Sequence, residues 1–93
     1  MKVFISHPFA DEDLATTLQK ILKEKNIDAY MAQRVKEYEL KIDEKVTDEI
    51  INSDYVVAII TTNTRASASV NQELGYAQGV KVPRIALIEK MQK

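Results

Sequence analysis

The spacing of apolar and polar residues changes along the chain, and each change predicts a different element. The continuous apolar run KVFIS at residues 2–6 is typical of a strand buried on both faces. ADEDLATTLQKILKEK follows with acidic residues in its first turn, as a helix favours, and Asn26 is a stop signal. The alternation in IDAYM predicts a less buried edge strand. In the helix predicted for ADEDLATTLQKILKEK, the apolar positions are Leu14, Leu18, Ile21 and Leu22.

The second half of the chain continues the alternation of strand and helix. A second helix is expected from about Tyr38 to Asn52, and the apolar run DYVVAIITT predicts a central strand. A third helix in SASVNQELGYAQG and a last strand, RIALI, complete the order. Alternating strands and helices predict an α/β fold built from right-handed βαβ units. The expected architecture is one domain over residues 1–93, a flavodoxin-like doubly wound parallel sheet with strand order 2-1-3-4.

Polar and aromatic residues follow the first and third predicted strands. In a doubly wound sheet, ligands bind outside the carboxyl ends of the strands, in the crevice between strands 1 and 3. Phe9 has two interpretations: it covers the core under the first helix, or it stacks on a planar group of a ligand. The residues predicted to contact a ligand there are Ser6, His7, Pro8, Phe9, Thr61, Asn63, Ser67 and Ser69. Thr62 is predicted to line the crevice.

The third helix carries one acidic residue, Glu73, near its start. On a helical wheel Val70, Leu74 and Ala77 form a buried stripe, and Glu73 lies on its border. A glutamate at the start of a helix is ordinarily solvated. The expected position of Glu73 beside the crevice favours a functional role instead.

Both glycines of the chain, Gly75 and Gly79, lie in this same segment. Gly79 is expected to end the helix as its C′ residue. Gly75 is costly inside a helix, which indicates close approach by either a neighbouring helix or a second protein chain. Ser69 with Gln72 fits a capping box, so the helix is expected to begin at Ser69, with Ser67 as the alternative cap.

Composition excludes several classes of function. The 13 basic and 14 acidic residues give a net charge of −1 without a basic block, which argues against nucleic acid or an anionic membrane as partner. Cysteine is absent and His7 is the one histidine, so no disulfide, thiol chemistry or metal cofactor is expected. Neither GxGxxG nor a P-loop pattern is present, so a nucleotide would be held by other means. No signal peptide or membrane span is apparent in the sequence, and a cytoplasmic location is expected.

Three stretches together resemble a Toll/interleukin-1 receptor (TIR) domain of the microbial type: VFISHPFADEDLA, SDYVVAIIT, and the SxxVxxE pattern of SASVNQELGYA. The resemblance covers almost the whole chain and implies a flavodoxin-like sheet. It also implies cleavage of the nicotinamide–ribose bond of NAD+, in signalling or defence, with Glu73 as the catalytic residue. NAD+ would be a substrate and no cofactor would be needed. Phe9 and residues 6–8 would lie near the nicotinamide.

Two other functions stay open. The first is a non-catalytic TIR-like module that assembles with its own kind. Ser69 stands where family members usually have tryptophan, and the chain stops after strand 4 where TIR domains usually continue; both features favour a module. AQRVKEYEL also lacks the glycine or proline common in the corresponding loop. The second alternative is a nucleoside 2-deoxyribosyltransferase-like enzyme, which ELGYAQGVKVPRIAL resembles.

The last strand predicts self-association. With no fifth strand after it, RIALI is expected to form a sheet edge with unpaired N–H and C=O groups. Pro83 and Arg84 protect only its start. A homo-oligomer, or assembly with other TIR domains, is expected. The alternative is that the tail KMQK covers the edge and the protein stays monomeric.

Overall fold

The computed structural model describes residues 1–31, 44–64 and 67–89, and strands alternate with helices along these ranges as the hydrophobic pattern predicts. A 3₁₀ turn (Phe9–Asp11) joins the first strand to the first helix. The first residues of the predicted second helix, 38–43, lie outside the described residues. The strands are β1 (Lys2–Ser6), β2 (Asp28–Met31), β3 (Tyr55–Ile60) and β4 (Arg84–Ile88), and the helices are α1 (Glu12–Glu24), α2 (Glu44–Ile51) and α3 (Ala68–Gly79).

The four strands form one parallel sheet in the order β2-β1-β3-β4. Phe4 of β1 lies beside Tyr30 of β2 on one side and Val56 of β3 on the other. The predicted fold class and strand order are therefore confirmed. β1 and β3 are central, as their continuous apolar runs indicate, and β2 and β4 are the edges.

Both faces of the sheet are covered by helices, which gives two apolar clusters. Alternate side chains of a strand point to opposite faces, so Phe4 and Val56 pack toward α2 and α3, while Ile5 and Val57 pack toward α1. On the α2–α3 face the buried residues are Phe4, Val46, Ile50, Val56, Ala77 and Val82. On the α1 face they are Val3, Ile5, Ala15, Val57 and Ile59.

The apolar stripe of α1 is only partly covered. Leu18 and Leu22 pack against the sheet, whereas Leu14 and Ile21 are 49% and 44% exposed. The reason is that α1 lies over β1 and β2 rather than over β4. Leu14 and Ile21 therefore face an apolar groove of about 330 Å³ whose other wall includes Leu87 and Ile88 of β4.

Two helices end in the same hydrogen-bonded motif, and one of the two ends was predicted at the wrong residue. Asn26 has a φ of 62° after α1, as expected for the stop signal. After α3 the left-handed residue is Lys81, with a φ of 63°, so the expectation that Gly79 is the C′ residue is wrong. The N–H of Val82 donates to the carbonyl of Ala77, as in a Schellman motif, and the side chain of Val82 is buried. The motif therefore lies two residues further along the chain than expected.

Gly75 lies on the exposed side of α3. Apart from its two chain neighbours and the backbone of its own helix, no heavy atom of the described residues lies within 4 Å of the place that a Cβ on Gly75 would take. The interpretation that a neighbouring helix approaches Gly75 is therefore wrong for the described helices. Contact with a second chain stays a prediction.

β4 is an exposed edge, as predicted. All five of its residues are exposed, and Ile88 is 74% exposed. The tail predicted as the alternative cover, residues 90–93, lies outside the described residues. No helix within the described ranges has the length and apolar character needed to cross a membrane.

Candidate functional site

A buried hydrogen bond joins the end of β1 to helix α3. Ser6 is the last residue of β1, and its hydroxyl donates to Oε1 of Glu73 at 2.7 Å. Ser6 is fully buried and Glu73 is only 2% exposed. The expectation that Glu73 lies on the border of the buried stripe is thus corrected: it is more buried than Leu74, which was assigned to the stripe. The Ser6 hydroxyl, at the carboxyl end of β1, supplies a hydrogen-bond donor for this buried carboxyl group.

The start of α3 is fixed by Ser67, not by Ser69. Oγ of Ser67 accepts a hydrogen bond from the N–H of Val70 at 3.3 Å, and α3 begins at Ala68. The expected cap at Ser69 is wrong and the alternative is confirmed. Ser67 has the extended backbone that a capping residue needs, and its N–H donates to the carbonyl of Thr64. Ser67 and Ser69 are both buried.

The loop after β1 places two buried residues below an exposed ring. His7 and Pro8 are buried, whereas Phe9 is 41% exposed. The buried phenylalanine of this part of the chain is Phe4, which is 0% exposed. Phe9 lies outside the buried core, a position that permits contact with a ligand.

The loop after β3 is tied to the loop after β1 by Asp11. The Thr61 hydroxyl donates a short hydrogen bond to Oδ2 of Asp11, and Nδ2 of Asn63 donates to Oδ1 at 3.0 Å. Thr61 and Asn63 were predicted to contact a ligand, but in this structure their side chains bond Asp11. Thr62 is exposed between them.

Asp11 belongs to this site although its place in the sequence does not indicate it. Its position before α1 identified it only as an acid favoured at the start of a helix. A carboxylate following strand 1 and hydroxyl and amide groups following strand 3 come to the same edge of a parallel sheet. That combination was the available signal for their contact.

The structure thus places a buried carboxyl group at the carboxyl end of β1 and an exposed phenylalanine three residues further along the chain from Ser6. A buried carboxylate held by a hydroxyl can stabilise a positive charge that develops on a substrate. Within residues 1–31, 44–64 and 67–89, no group of three acidic or histidine side chains is arranged to hold a metal ion. Of the residues predicted for the site, Ser6 and Glu73 are in direct contact, while Thr61 and Asn63 belong to the Asp11 cluster.

Removing the Ser6 hydroxyl should destabilise the protein through Glu73. Ser6→Ala is expected to lower the free energy of unfolding by about 1–3 kcal/mol, because it leaves a buried acceptor without this donor. In a Glu73→Ala background the same change should cost much less, since the partner is already gone. Urea unfolding of the four proteins measures the coupling. An equal cost of Ser6→Ala in both backgrounds would show that Ser6 does not act through Glu73.

The geometry defines the class of protein: a doubly wound α/β domain with a four-stranded parallel sheet in the order β2-β1-β3-β4. Comparison with known families is more specific. The family model of the TIR domain matches residues 3–88, and the chain belongs to the TIR domain family.

A solved structure has a similar fold. It contains the TIR domains of the activated Roq1 resistosome, which directly recognises the pathogen effector XopQ. The TM-score is 0.77 at 20% sequence identity, and the match covers 98% of this chain and 58% of that chain. This likeness is evidence for the fold alone. No curated protein sequence matches the chain.

Proposed function

We propose that this TIR domain is an NAD+ glycohydrolase and that Glu73 is its catalytic residue. The observation that carries the proposal is the buried Glu73 carboxylate, held by Ser6 at the carboxyl end of β1. This is the edge of the sheet at which doubly wound folds bind ligands. Membership of the TIR family supports the same reaction, acting in signalling or defence.

The proposed chemistry needs a fixed negative charge beside the ribose. Breaking the bond between C1′ and the nicotinamide nitrogen leaves an oxocarbenium-like centre on the sugar. A carboxylate stabilises that centre and accepts hydrogen bonds from ribose hydroxyls. Water then adds at C1′, which gives ADP-ribose, nicotinamide and one proton. The exposed ring of Phe9 is suited to stack on the planar nicotinamide.

Access to the carboxylate requires a rearrangement. Glu73 is 2% exposed, so a ribose reaches it only when the residues that cover it move. Binding of a substrate or of a second chain would supply the free energy for such a change. The second of these sources makes the proposed activity depend on protein concentration.

The experiment that tests the function compares two substrates. The purified chain is incubated with NAD+ or with a deoxynucleoside, and free nicotinamide or free base is measured by chromatography. The proposal predicts nicotinamide from NAD+ and no base from the deoxynucleoside. Release of base alone would support the deoxyribosyltransferase alternative. Release of neither product would leave the interaction module as the remaining candidate.

The second candidate, a self-associating module, is favoured by the exposed edge β4. A bare edge with apolar side chains offers both main-chain hydrogen bonds and apolar area to another copy. Ile85, Leu87 and Ile88 are 44%, 45% and 74% exposed. The two candidates are compatible, because association through β4 leaves the crevice at the ends of β1 and β3 available.

Self-association should be lost when a charge is placed on β4. The wild type is expected to form dimers or larger species at high micromolar concentration in sedimentation velocity. Ile85→Lys should give a monomer, because a lysine on an edge strand opposes pairing. Ile51→Lys is the matched control: Ile51 is 50% exposed on α2, and this variant should still associate. A monomeric wild type, with and without NAD+, would refute association.

A further inference from the structure

The carboxylate of Asp11 connects two loops that the sheet itself does not hold together. The paired residues of β1 and β3 end at Ser6 and Ala58, so beyond these residues no β-ladder joins the two segments of the chain. Asp11 lies past that point, and its partners Thr61 and Asn63 are 50 and 52 positions away in the sequence. The contact is therefore a long-range link at the mouth of the crevice.

Both carboxylate oxygens of Asp11 accept a hydrogen bond in this link. Oδ2 of Asp11 accepts from the Thr61 hydroxyl, and Oδ1 accepts from the Asn63 amide. The backbone N–H of Asn63 donates to Oγ1 of Thr61 at 3.0 Å, which closes the cluster. Asp11 is 8% exposed. Hydrogen bonds that end on a carboxylate are roughly twice as strong as neutral ones, so this cluster is a firm connection.

The same residue closes the turn that contains Phe9. The N–H of Asp11 donates to the carbonyl of Pro8 at 2.9 Å, and Phe9 lies between the two residues. Asp11 is thus bonded through its backbone to one end of the turn and through its side chain to the loop after β3. This bond fixes the backbone of the turn, and with it the place from which the Phe9 side chain projects.

We propose that Asp11 is a positioning residue: it ties the loop after β1 to the loop after β3 and so holds the Phe9 ring at the rim of the crevice. The consequence for catalysis rests on the proposed function, in which Phe9 contacts the nicotinamide. The consequence for the position of Phe9 is independent of the proposed function. The two are tested by separate measurements.

The first measurement follows the ring without any substrate. The chain has two phenylalanines, so labelling with fluorophenylalanine gives one signal from Phe9 and one from the buried Phe4. In Asp11→Asn, one acceptor oxygen replaces two, so the cluster cannot form completely. The Phe9 fluorine signal should shift or broaden while the Phe4 signal stays in place. Asp13→Asn, an exposed acid next to the cluster in sequence, should change neither signal.

The second measurement follows turnover of NAD+. Asp11→Asn should lower kcat/KM by about 10- to 100-fold, since small displacements of positioning groups have effects of this size. In a Phe9→Ala background the same substitution should change kcat/KM less than about 3-fold, because the group that it positions is absent. A residue that merely stabilises the fold would give equal losses in both backgrounds.

Thr61→Val provides a second test should Asp11→Asn fail to fold, because it removes one donor and preserves the shape of the side chain. A Phe9 signal that is unchanged in a folded variant would overturn the proposal, whatever the activity. If the wild type releases no nicotinamide, the proposed function fails, and the fluorine spectra alone decide whether Asp11 positions Phe9.

Discussion

Glu73→Gln is expected to lower the rate of nicotinamide release from NAD+ by about 100- to 1000-fold, the range that loss of one electrostatic group from an active site produces. Glutamine has nearly the shape of glutamate, and its carbonyl oxygen can still accept the hydrogen bond from Ser6. What it lacks is the negative charge opposite the developing positive charge on the ribose. The loss should therefore appear in kcat rather than in KM.

Stability measurements separate this effect from unfolding. The melting temperature of Glu73→Gln should lie within a few degrees of the wild type, because the substitution creates no cavity. Glu24→Gln is the matched control: Glu24 is the exposed last residue of α1, and its substitution should leave activity and melting temperature unchanged. Full activity in a folded Glu73→Gln protein would exclude Glu73 as the catalytic residue.

The two phenylalanines should respond in opposite ways to the same truncation. Phe4 is fully buried between neighbouring strands, so Phe4→Ala is expected to reduce the free energy of unfolding by about 3–5 kcal/mol. In a domain of this size such a loss is a large fraction of the total stability. Phe9 is 41% exposed, and Phe9→Ala should cost about 1 kcal/mol or less. Its effect should instead be a weaker use of NAD+.

Denaturant unfolding and steady-state kinetics distinguish the two residues. The account predicts that Phe4→Ala shifts the unfolding midpoint strongly, whereas Phe9→Ala mainly lowers kcat/KM. A loss of 3–5 kcal/mol for Phe9→Ala would instead assign Phe9 to the core, the first of the two interpretations that its sequence position allows.

The fold could be predicted from sequence because strands and helices leave different spacings of apolar residues. The runs KVFIS and YVVAII are continuous, as in strands buried on both faces, and they occupy the central positions β1 and β3. The ends of α3 were less predictable. Glycine is the usual residue at a left-handed helix end, but here burial of Val82 placed that conformation at Lys81.

The site could be predicted only in part. The predicted topology brings Ser6 and the start of α3 to the same edge of the sheet, but it does not predict the hydrogen bond between Ser6 and Glu73. The burial of Glu73 could not be predicted either, because a helical wheel gives the direction of a side chain but not which residues cover it. The topology brings Asp11, Thr61 and Asn63 to one edge of the sheet, but it does not determine which of these side chains bond each other. That pairing depends on loop conformations that no local pattern encodes.

Proton NMR of NAD+ mixed with the wild-type chain tests most directly the claim that this crevice cleaves a glycosidic bond. The measurement is made at several protein concentrations, up to those at which sedimentation shows association. The account predicts that signals of free nicotinamide grow as those of NAD+ decline, and that they stay at background level with Glu73→Gln. Intact NAD+ at every concentration of folded wild-type protein would contradict it.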